Sequence, residues 1–405
     1  MSKRYTIVKD SVFEDCLVTP GAYEGVLERL DKFVTPFFKH LATGSQQAKA
    51  LAYLKGLLSN TERKNIESIA YFHGEDRQPL QMFIGQVDWN DDTILDVLAR
   101  QVARDIGTQD GILILDPTSF PKKGTQSVGV QRQWCGRLGK VENCQVATFL
   151  AYAGAGEFAL IDRRLYLPKE WTDDPERCRI AGVPAEHIVE KTRHQQSLEM
   201  LRGRGKMLPH RWTIGDDEMG RIPWFRKELR KMKESYVLAV PSNILILDLE
   251  SKATICETCG KIYLMSVHQW AKTILASRWK TIKVRQGHKG WLSVRLATCR
   301  VRAMIENDIG DEEVLIVSKW RDDTGTQRCD YYLSYSKEHV DLDEYARVIK
   351  TAYCIEESFR RGKSECGLAD YQVRNWCGWH HHIALSMLGS WFLTKELLLQ
   401  KKMYR

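Results

Sequence analysis

The sequence predicts a mixed α/β fold with an N-terminal helical region and a β-rich insertion. Three observations predict it. Residues 11 to about 105 carry apolar residues at helical spacing. From Gly111 the texture changes to short apolar runs bounded by turn formers, and strand then alternates with helix and strand. Between 242 and about 312 that alternation gives way to short strands and basic loops, and it resumes at Glu313-Val314-Leu315-Ile316-Val317-Ser318. Periodicity of 3.6 marks helices, short β-prone runs mark strands, and their alternation marks parallel pairing with a crossover.

The bulk properties agree with a folded chain. At 405 residues it is too long for one simple core. Hydrophobic residues make up 43% and charged residues 28%, which excludes a disordered class. The net charge of +8 is compatible with a nucleic-acid partner. The start has no apolar stretch of a secretory signal, and the longest apolar run, near Ile383 to Leu393, is too short to span a bilayer. The expectation is a cytoplasmic protein with no membrane contact. Eleven scattered cysteines then read as reduced thiols. Cys256 and Cys259 form the one C-x-x-C; without a second pair at zinc spacing they read as a loop pair. The expected boundaries are 1–108 for the helical region, 109–241 for the first part of an α/β core, 242–312 for the insertion and 313–405 for the second part.

In the helical region, Val26-Leu27, Leu30, Phe33-Val34, Phe37-Phe38 and Leu41 recur on one face, and Ala48 to Leu58 repeat the pattern. Asn60 to Asn65 is a polar break, and Asp91-Asp92 precede a last helix. Arg63 and Lys64 suit either a DNA-binding region or a solvated face of a packing region. Next comes Gly111-Ile112-Leu113-Ile114-Leu115, a short buried strand that ends at Asp116. Pro117 is expected to hold Asp116 extended and to stop the ladder. A carboxylate is then presented at a strand mouth, although an Asp here could also cap its own turn. Lys122 and Lys123 lie in the turn that follows.

Runs from 126 to 134, 143 to 153 and 158 to 167 suggest an antiparallel meander. Residues 168 to 190 read as a loop and Ile188 to Gly203 as a helix. Arg211-Trp212-Thr213-Ile214 is a strand that ends at Gly215-Asp216, so a second carboxylate sits at a strand end. A basic helix from Trp224 to Lys233 and a strand at Tyr236 to Val240 follow. The insertion carries Arg278, Lys280, Lys283, Arg285, His288, Lys289, Arg295, Arg300 and Arg302, with Trp279 and Trp291 among them. Cations interleaved with aromatics suit phosphate contact and base stacking, or else a solvated basic face.

Asp341 to Cys366 reads as one helix. Ile349, Ala352, Glu356, Phe359 and Lys363 share a face, so Glu356 is expected on the stripe that meets the core. Gly367 is the expected C′ residue. An apolar helix from His382 to Leu399 closes the chain, and the run His380-His381-His382 suits phosphate contacts or a solvated helix start rather than a ligand cluster. Three acids stand out: Asp116, Asp216 and Glu356. Acids gathered together repel unless cations lie between them, and hard ions such as Mg²⁺ take carboxylate oxygens. Two such ions serve phosphodiester cleavage.

The chain at this point resembles the DDE transposases of bacterial insertion sequences, in the branch with a β-strand-rich insertion between the second Asp and the Glu. The resemblance runs from about residue 45 to 395. It is carried by Leu115-Asp116-Pro117-Thr118-Ser119-Phe120-Pro121-Lys122-Lys123-Gly124, by Gly139 to Val146, by Gly215-Asp216-Asp217-Glu218-Met219-Gly220-Arg221 with Tyr236 to Pro241, by Ile355-Glu356-Glu357-Ser358-Phe359 with Lys363, and by Gly367 to Arg374. It implies an RNase H-like catalytic core with Asp116, Asp216 and Glu356 as catalytic and metal-binding triad. It further implies two Mg²⁺ ions, with Mn²⁺ able to substitute, and cleavage and joining of double-stranded DNA at transposon ends and target. Lys363, seven residues after the Glu, is implied to contact DNA. Lys122, Lys123, Arg285, Lys289 and Trp279 are the other expected DNA-binding residues. A homodimer in the synaptic complex and a nucleoid-associated, cytoplasmic location follow from the same resemblance. The helix motif departs upstream: Ala352 stands for the family's Arg, Tyr353 for its Trp and Ile349 for its Tyr. Asp217 and Glu357 are the neighbouring alternatives to Asp216 and Glu356. The competing expectation is a transposase-derived DNA-binding protein without catalysis. A glycosidase with paired acids would need neither the basic insertion nor the lysine-rich turn.

Overall fold

The computed structural model describes residues 24–251, 263–287, 290–305, 308–321 and 325–403. The described chain begins with helices α1 (Val26–Phe38), α2 (Gly44–Leu58), α3 (Ile66–His73), α4 (Arg77–Gly85) and α5 (Asp91–Ile106). Their starts are set by side chains that accept an orphan N–H of the first turn: Thr43, Asn65, Asp76 and Asn90. Strands β1 (Ile112–Pro121), β2 (Gln131–Cys135), β3 (Lys140–Gly154) and β4 (Glu157–Leu165) follow. Residues 168–190, expected as a loop, hold two short helices, α6 (Lys169–Thr172) and α7 (Pro175–Ile180), before α8 (Arg193–Arg202). Then come β5 (Trp212–Gly215), α9 (Asp217–Gly220), α10 (Pro223–Lys231), β6 (Ser235–Val240), β7 (Leu245–Asp248), β8 (Met265–Ser266) and α11 (Val267–Thr273). The chain ends through β9 (Lys280–Gly287), β10 (Gly290–Ile305), β11 (Asp308–Arg321), β12 (Gln327–Tyr335), α12 (Leu342–Thr351), α13 (Tyr353–Glu365) and α14 (Trp376–Met403).

The fold is mixed α/β, built on one 12-stranded sheet in the order β2-β3-β1-β5-β6-β12-β11-β10-β7-β8, with β4 beside β3 and β9 beside β10. β1, β3 and β4 pair antiparallel; β1, β5 and β6 pair parallel. The strands between 242 and 312 therefore continue the sheet. They are also not all short, since β10 runs for 16 residues. Three apolar clusters result among the described residues, two of them large. The larger joins the N-terminal helices, α13 and α14 to β1, β3 and β4. The smaller lies under α11, where Val267 and Trp270 pack on Ala297, Cys299, Val301 and Leu315.

Polar groups tie the N-terminal helices to the sheet. Arg204 Nη1 reaches Asp162 of β4 at 2.6 Å and its Nε reaches Asp96 of α5 at 2.9 Å; buried Arg163 pairs with Asp91. The histidine run does the same from α14. His381 stacks on Trp89 with ring centroids 3.6 Å apart and meets the Ile84 and Trp89 carbonyls. His382 lies 2.8 Å from the Tyr53 hydroxyl. Both are buried, which corrects the expected solvated or phosphate-binding run. α14 begins at Trp376, so these residues sit inside the helix and face α2, α4 and the segment after it. No helix among the described residues is long and apolar enough to cross a membrane.

Candidate active site

Register builds this cleft. Leu115 pairs with Gly215 across the parallel β1–β5 ladder. Asp116 and Asp216, the next residue along each strand, thus sit side by side where β5 ends and β1 runs on beside β3 alone. Contrary to expectation, Pro117 does not stop the β1 ladder, which runs on beside β3 to Pro121. β5 has already turned away there, and a proline is tolerated where one side of its strand is unpaired.

Asp216 caps α9: its carboxylate accepts the Met219 N–H at 3.1 Å. That turn swings Glu218 into the same space. Gly220 lets the turn lie on β6, since a Cβ there would stand 1.9 Å from the Ala239 carbonyl oxygen. Glu356 comes from the first turn of α13. The expected single helix breaks at Ala352, which ends α12 and precedes α13. The buried stripe of α13 is Cys354, Ile355, Ser358, Phe359 and Gly362, and Glu356 is exposed. Glu356 therefore does not face the packed core, as its helical spacing suggested; it faces an open cleft at the edge of that stripe. Gly367 holds φ +61, and the Leu368 N–H returns to the Gly362 carbonyl at 2.9 Å, closing α13.

The cleft has a volume of about 1160 Å³ and gathers Asp116, Asp216, Glu218, Glu356, Arg193 and Lys363. Burial pushes the Asp116 carboxyl well above the usual carboxylate range, and the charges of Asp216, Glu356 and Glu218 push it further, against Lys363. Burial also lifts Asp216 to about 6, opposed by the Met219 N–H and Arg193. Glu218 is raised by burial, although Arg193 pairs with it at 2.8 Å. Lys363 gives a hydrogen bond to Thr118 Oγ1 at 2.9 Å, and burial, with help from Arg137, lowers its ammonium to about 8.

Asp116 and Asp216 stay raised although cations line the same cleft. The donors there are hard oxygens on three separate elements, which fits Mg²⁺ or Mn²⁺ in chemical type. Among the described residues, no three His, Cys, Asp or Glu side chains converge closely enough to enclose an ion as they stand. Asp217 and Glu357 have other partners. Asp217 pairs with Arg221 at 2.9 Å. Glu357 is held by Arg360 and Arg361, each at 2.7 Å, and the Arg360 hydrogen bond foremost lowers it to about 2.

Sequence comparison now bears on this geometry. A family model described as DDE superfamily endonuclease matches residues 36–290, more than half of the chain. The chain belongs to the DDE superfamily endonucleases. The matched span includes Asp116 and Asp216 and ends before Glu356. A probable transposase for insertion sequence element IS701, from Microchaete diplosiphon, is 27% identical over 165 residues, 40% of this chain and 43% of that protein. The match thus spans less than half of that relative's length. The resemblance to insertion-sequence DDE transposases holds at the level of the family. A cryo-EM structure of a piggyBac transposase synaptic complex with hairpin DNA aligns over 94% of this chain and 75% of that one, with 11% identity and a TM-score of 0.43.

Of the described residues expected to bind DNA in this DDE-family chain, Lys363 alone lines the acidic cleft. Lys122 is half-buried with its ammonium 3.4 Å from the centre of the Tyr371 ring, and Lys123 is exposed nearby. Trp279 is 8% exposed and packs in the smaller core, with Lys319 Nζ 3.9 Å from its ring centre. The Arg285 side chain, Lys289 and the Cys256–Cys259 pair lie outside the described residues. Cleft residues that were given no role in the sequence include Glu218, Arg193, Arg137, Arg360 and Trp134. Glu218 alone had a signal, as the third acid in Asp216-Asp217-Glu218.

Proposed function

We propose that this chain is a DDE transposase that cleaves double-stranded DNA at transposon ends and transfers the freed strand into target DNA. The observation that carries the proposal is the side-by-side placement of Asp116 and Asp216 in a cleft that Glu356 also faces. On this reading the five-strand unit β4-β3-β1-β5-β6 is an RNase H-like core, the N-terminal helices to about 108 bind DNA, and 242–312 is an insertion built onto its sheet. Asp116, Asp216 and Glu356 would hold two Mg²⁺ ions, with Mn²⁺ able to substitute. Bound divalent ions would supply activation of an attacking oxygen and stabilisation of the leaving one.

The chain's own groups prepare that chemistry. The carboxylates, unbalanced without a cation, bind metal more weakly as pH falls through about 6, where Asp216 takes up a proton. Lys363, hydrogen-bonded to Thr118 beside Asp116, gives the DNA phosphate a cation and lowers the cost of bringing it near four acids. Lys123, with Arg285 and Lys289 of the insertion, extends the contact along the duplex, and a homodimer holds two ends together.

The test is cleavage of a supercoiled plasmid carrying the element's ends, in Mg²⁺ and in Mn²⁺. Asp116→Asn should lose at least about a hundredfold in rate, since losing even an outer partner of a metal ligand costs about 10–100-fold, while binding the ends with near-parental affinity. Parental cleavage by Asp116→Asn would refute the triad.

A further inference from the structure

Asp216 stands at the head of α9, which is a single helical turn. One turn has no stability of its own, because nucleation fixes more dihedrals than its first hydrogen bond can offset. The shape of this turn, and with it the aim of the Asp216 carboxylate, is therefore set from outside. β6 is its floor: Met219 is fully buried, and Gly220 lies against the Ala239 carbonyl. His194 of α8 donates from Nε2 to the Glu218 carbonyl at 3.0 Å. Arg226 of α10 donates from Nη1 to the Gly220 carbonyl at 2.5 Å. The Gly220 carbonyl is an orphan acceptor at a helix end, and on a buried residue it needs a protein donor.

The guanidinium that supplies this donor is itself held. Arg226 is 4% exposed, and its Nε donates to Glu313 Oε1 at 2.9 Å. Glu313, on β11, is buried too and accepts the Tyr236 hydroxyl of β6 at 2.6 Å. A buried ion pair is weak evidence of stabilisation, since apolar side chains of similar volume often serve a fold as well or better. An apolar pair could fill this space, but it could not give the Gly220 carbonyl a donor. We propose that Arg226 is the positioning residue of the second acid. Its guanidinium, oriented by Glu313, holds the end of α9 and so keeps the Asp216 carboxylate, at the head of that turn, aimed into the cleft. Arg226 does not line the cleft, so it acts on a bound cation only through Asp216. This deepens the proposed function and rests on it for the cation.

The experiment measures Mn²⁺ binding to the full chain by electron paramagnetic resonance, and unfolding by urea in EDTA. Arg226→Met combined with Glu313→Gln removes the ion pair without stranding a charge, and the glutamine amide still meets the Tyr236 hydroxyl. This double variant should unfold near the parental urea concentration and bind Mn²⁺ about 10- to 100-fold more weakly, the loss that follows removal of an outer partner of a metal ligand. In a chain that already carries Asp216→Asn, the same two substitutions should weaken what binding remains no further, because losses that act through one group do not add. If the double variant fails to fold, Arg226→Lys decides. It keeps a charge beside Glu313 but loses the rigid fork that serves two acceptors, so it should fold and bind Mn²⁺ more weakly than the parent. Parental Mn²⁺ affinity in the folded double variant, or in Arg226→Lys where that decides alone, would overturn the proposal. So would a loss in the Asp216→Asn chain as large as the loss in the parent, which would mean that the pair acts elsewhere. A parent that binds no Mn²⁺ refutes the proposed function; a parent that binds it beside a folded variant that binds it equally refutes only the positioning role.

Discussion

Asp216→Asn should make the metal-free protein more stable. The substitution keeps the size of the side chain and an oxygen that can accept the Met219 N–H, so the cap of α9 survives. What it removes is a buried charge among like charges. The folded carboxyl stands at about 6 against an ordinary 3.8. About two pH units at 1.36 kcal/mol each put the penalty at about 3 kcal/mol at pH 7.5. A carboxyl raised in this way stabilises the fold below pH 3.8, and that contribution is lost as pH rises through 6. The gain from Asn is therefore largest above pH 6 and vanishes near pH 4. Urea unfolding of both proteins at pH 7.5, 6 and 4.5, in EDTA, measures it. Mg²⁺ should then stabilise the parent more than the variant, because only the parent keeps the full acid set. An Asn variant no more stable than the parent at pH 7.5 would mean that burial among acids does not penalise the Asp216 carboxylate, and the cleft would then offer a cation nothing to relieve.

Lys363→Gln should weaken binding to a generic duplex and lower the slope of log affinity against log salt by about 1, in fluorescence anisotropy from 50 to 200 mM salt. Because the ammonium sits at about 8, the parent should lose that advantage as pH rises past 8. Glu313 is a second target: it accepts from Arg226 Nε at 2.9 Å and from the Tyr236 hydroxyl at 2.6 Å, while Arg226 also holds the Gly220 carbonyl at the end of α9. Glu313→Ala strands a buried guanidinium and should cost about 3–5 kcal/mol in urea unfolding. Arg226→Met added to it should restore much of that, and no recovery would show that the pair acts other than by charge.

The sequence carried the outline of the fold because short strands announce themselves by texture. Ile112 to Leu115, Thr213-Ile214 and Tyr236 to Val240 are uniform apolar runs between turn formers, and the helix between the last two implied parallel pairing. What it did not carry was partnership. The basic strands from 280 to 302 look detached when read along the chain, yet β11 pairs with β12 and β12 with β6, so they prolong the central sheet. Pairing of strands far apart in sequence leaves no local trace. The histidine run misled for a related reason. Three histidines in a row look polar, but α14 turns His381 and His382 towards carbonyl and hydroxyl groups of α2, α4 and their neighbours, which only the assembled fold supplies.

The candidate site was legible where backbone geometry decides and obscure where side-chain neighbours do. Asp216 follows the last residue of β5 and Asp116 holds the matching position of β1, and the Leu115–Gly215 register makes that shared position a shared location. The choice between Glu356 and Glu357 is of the other kind. Helical spacing favoured Glu356 on the ground that it faced the core, and the structure gives a different reason. Arg360 and Arg361 follow Glu357 at i+3 and i+4, the spacing at which helix side chains meet, and both close on it. A carboxylate that accepts three hydrogen bonds from two guanidiniums has its charge already balanced and little left to draw a cation. Glu356 has no such neighbours on its own helix: position 359 is Phe and position 360 is engaged with Glu357. Its carboxylate is left facing Asp116 across the cleft, where the repulsion that raises Asp116 is the force a bound cation would relieve.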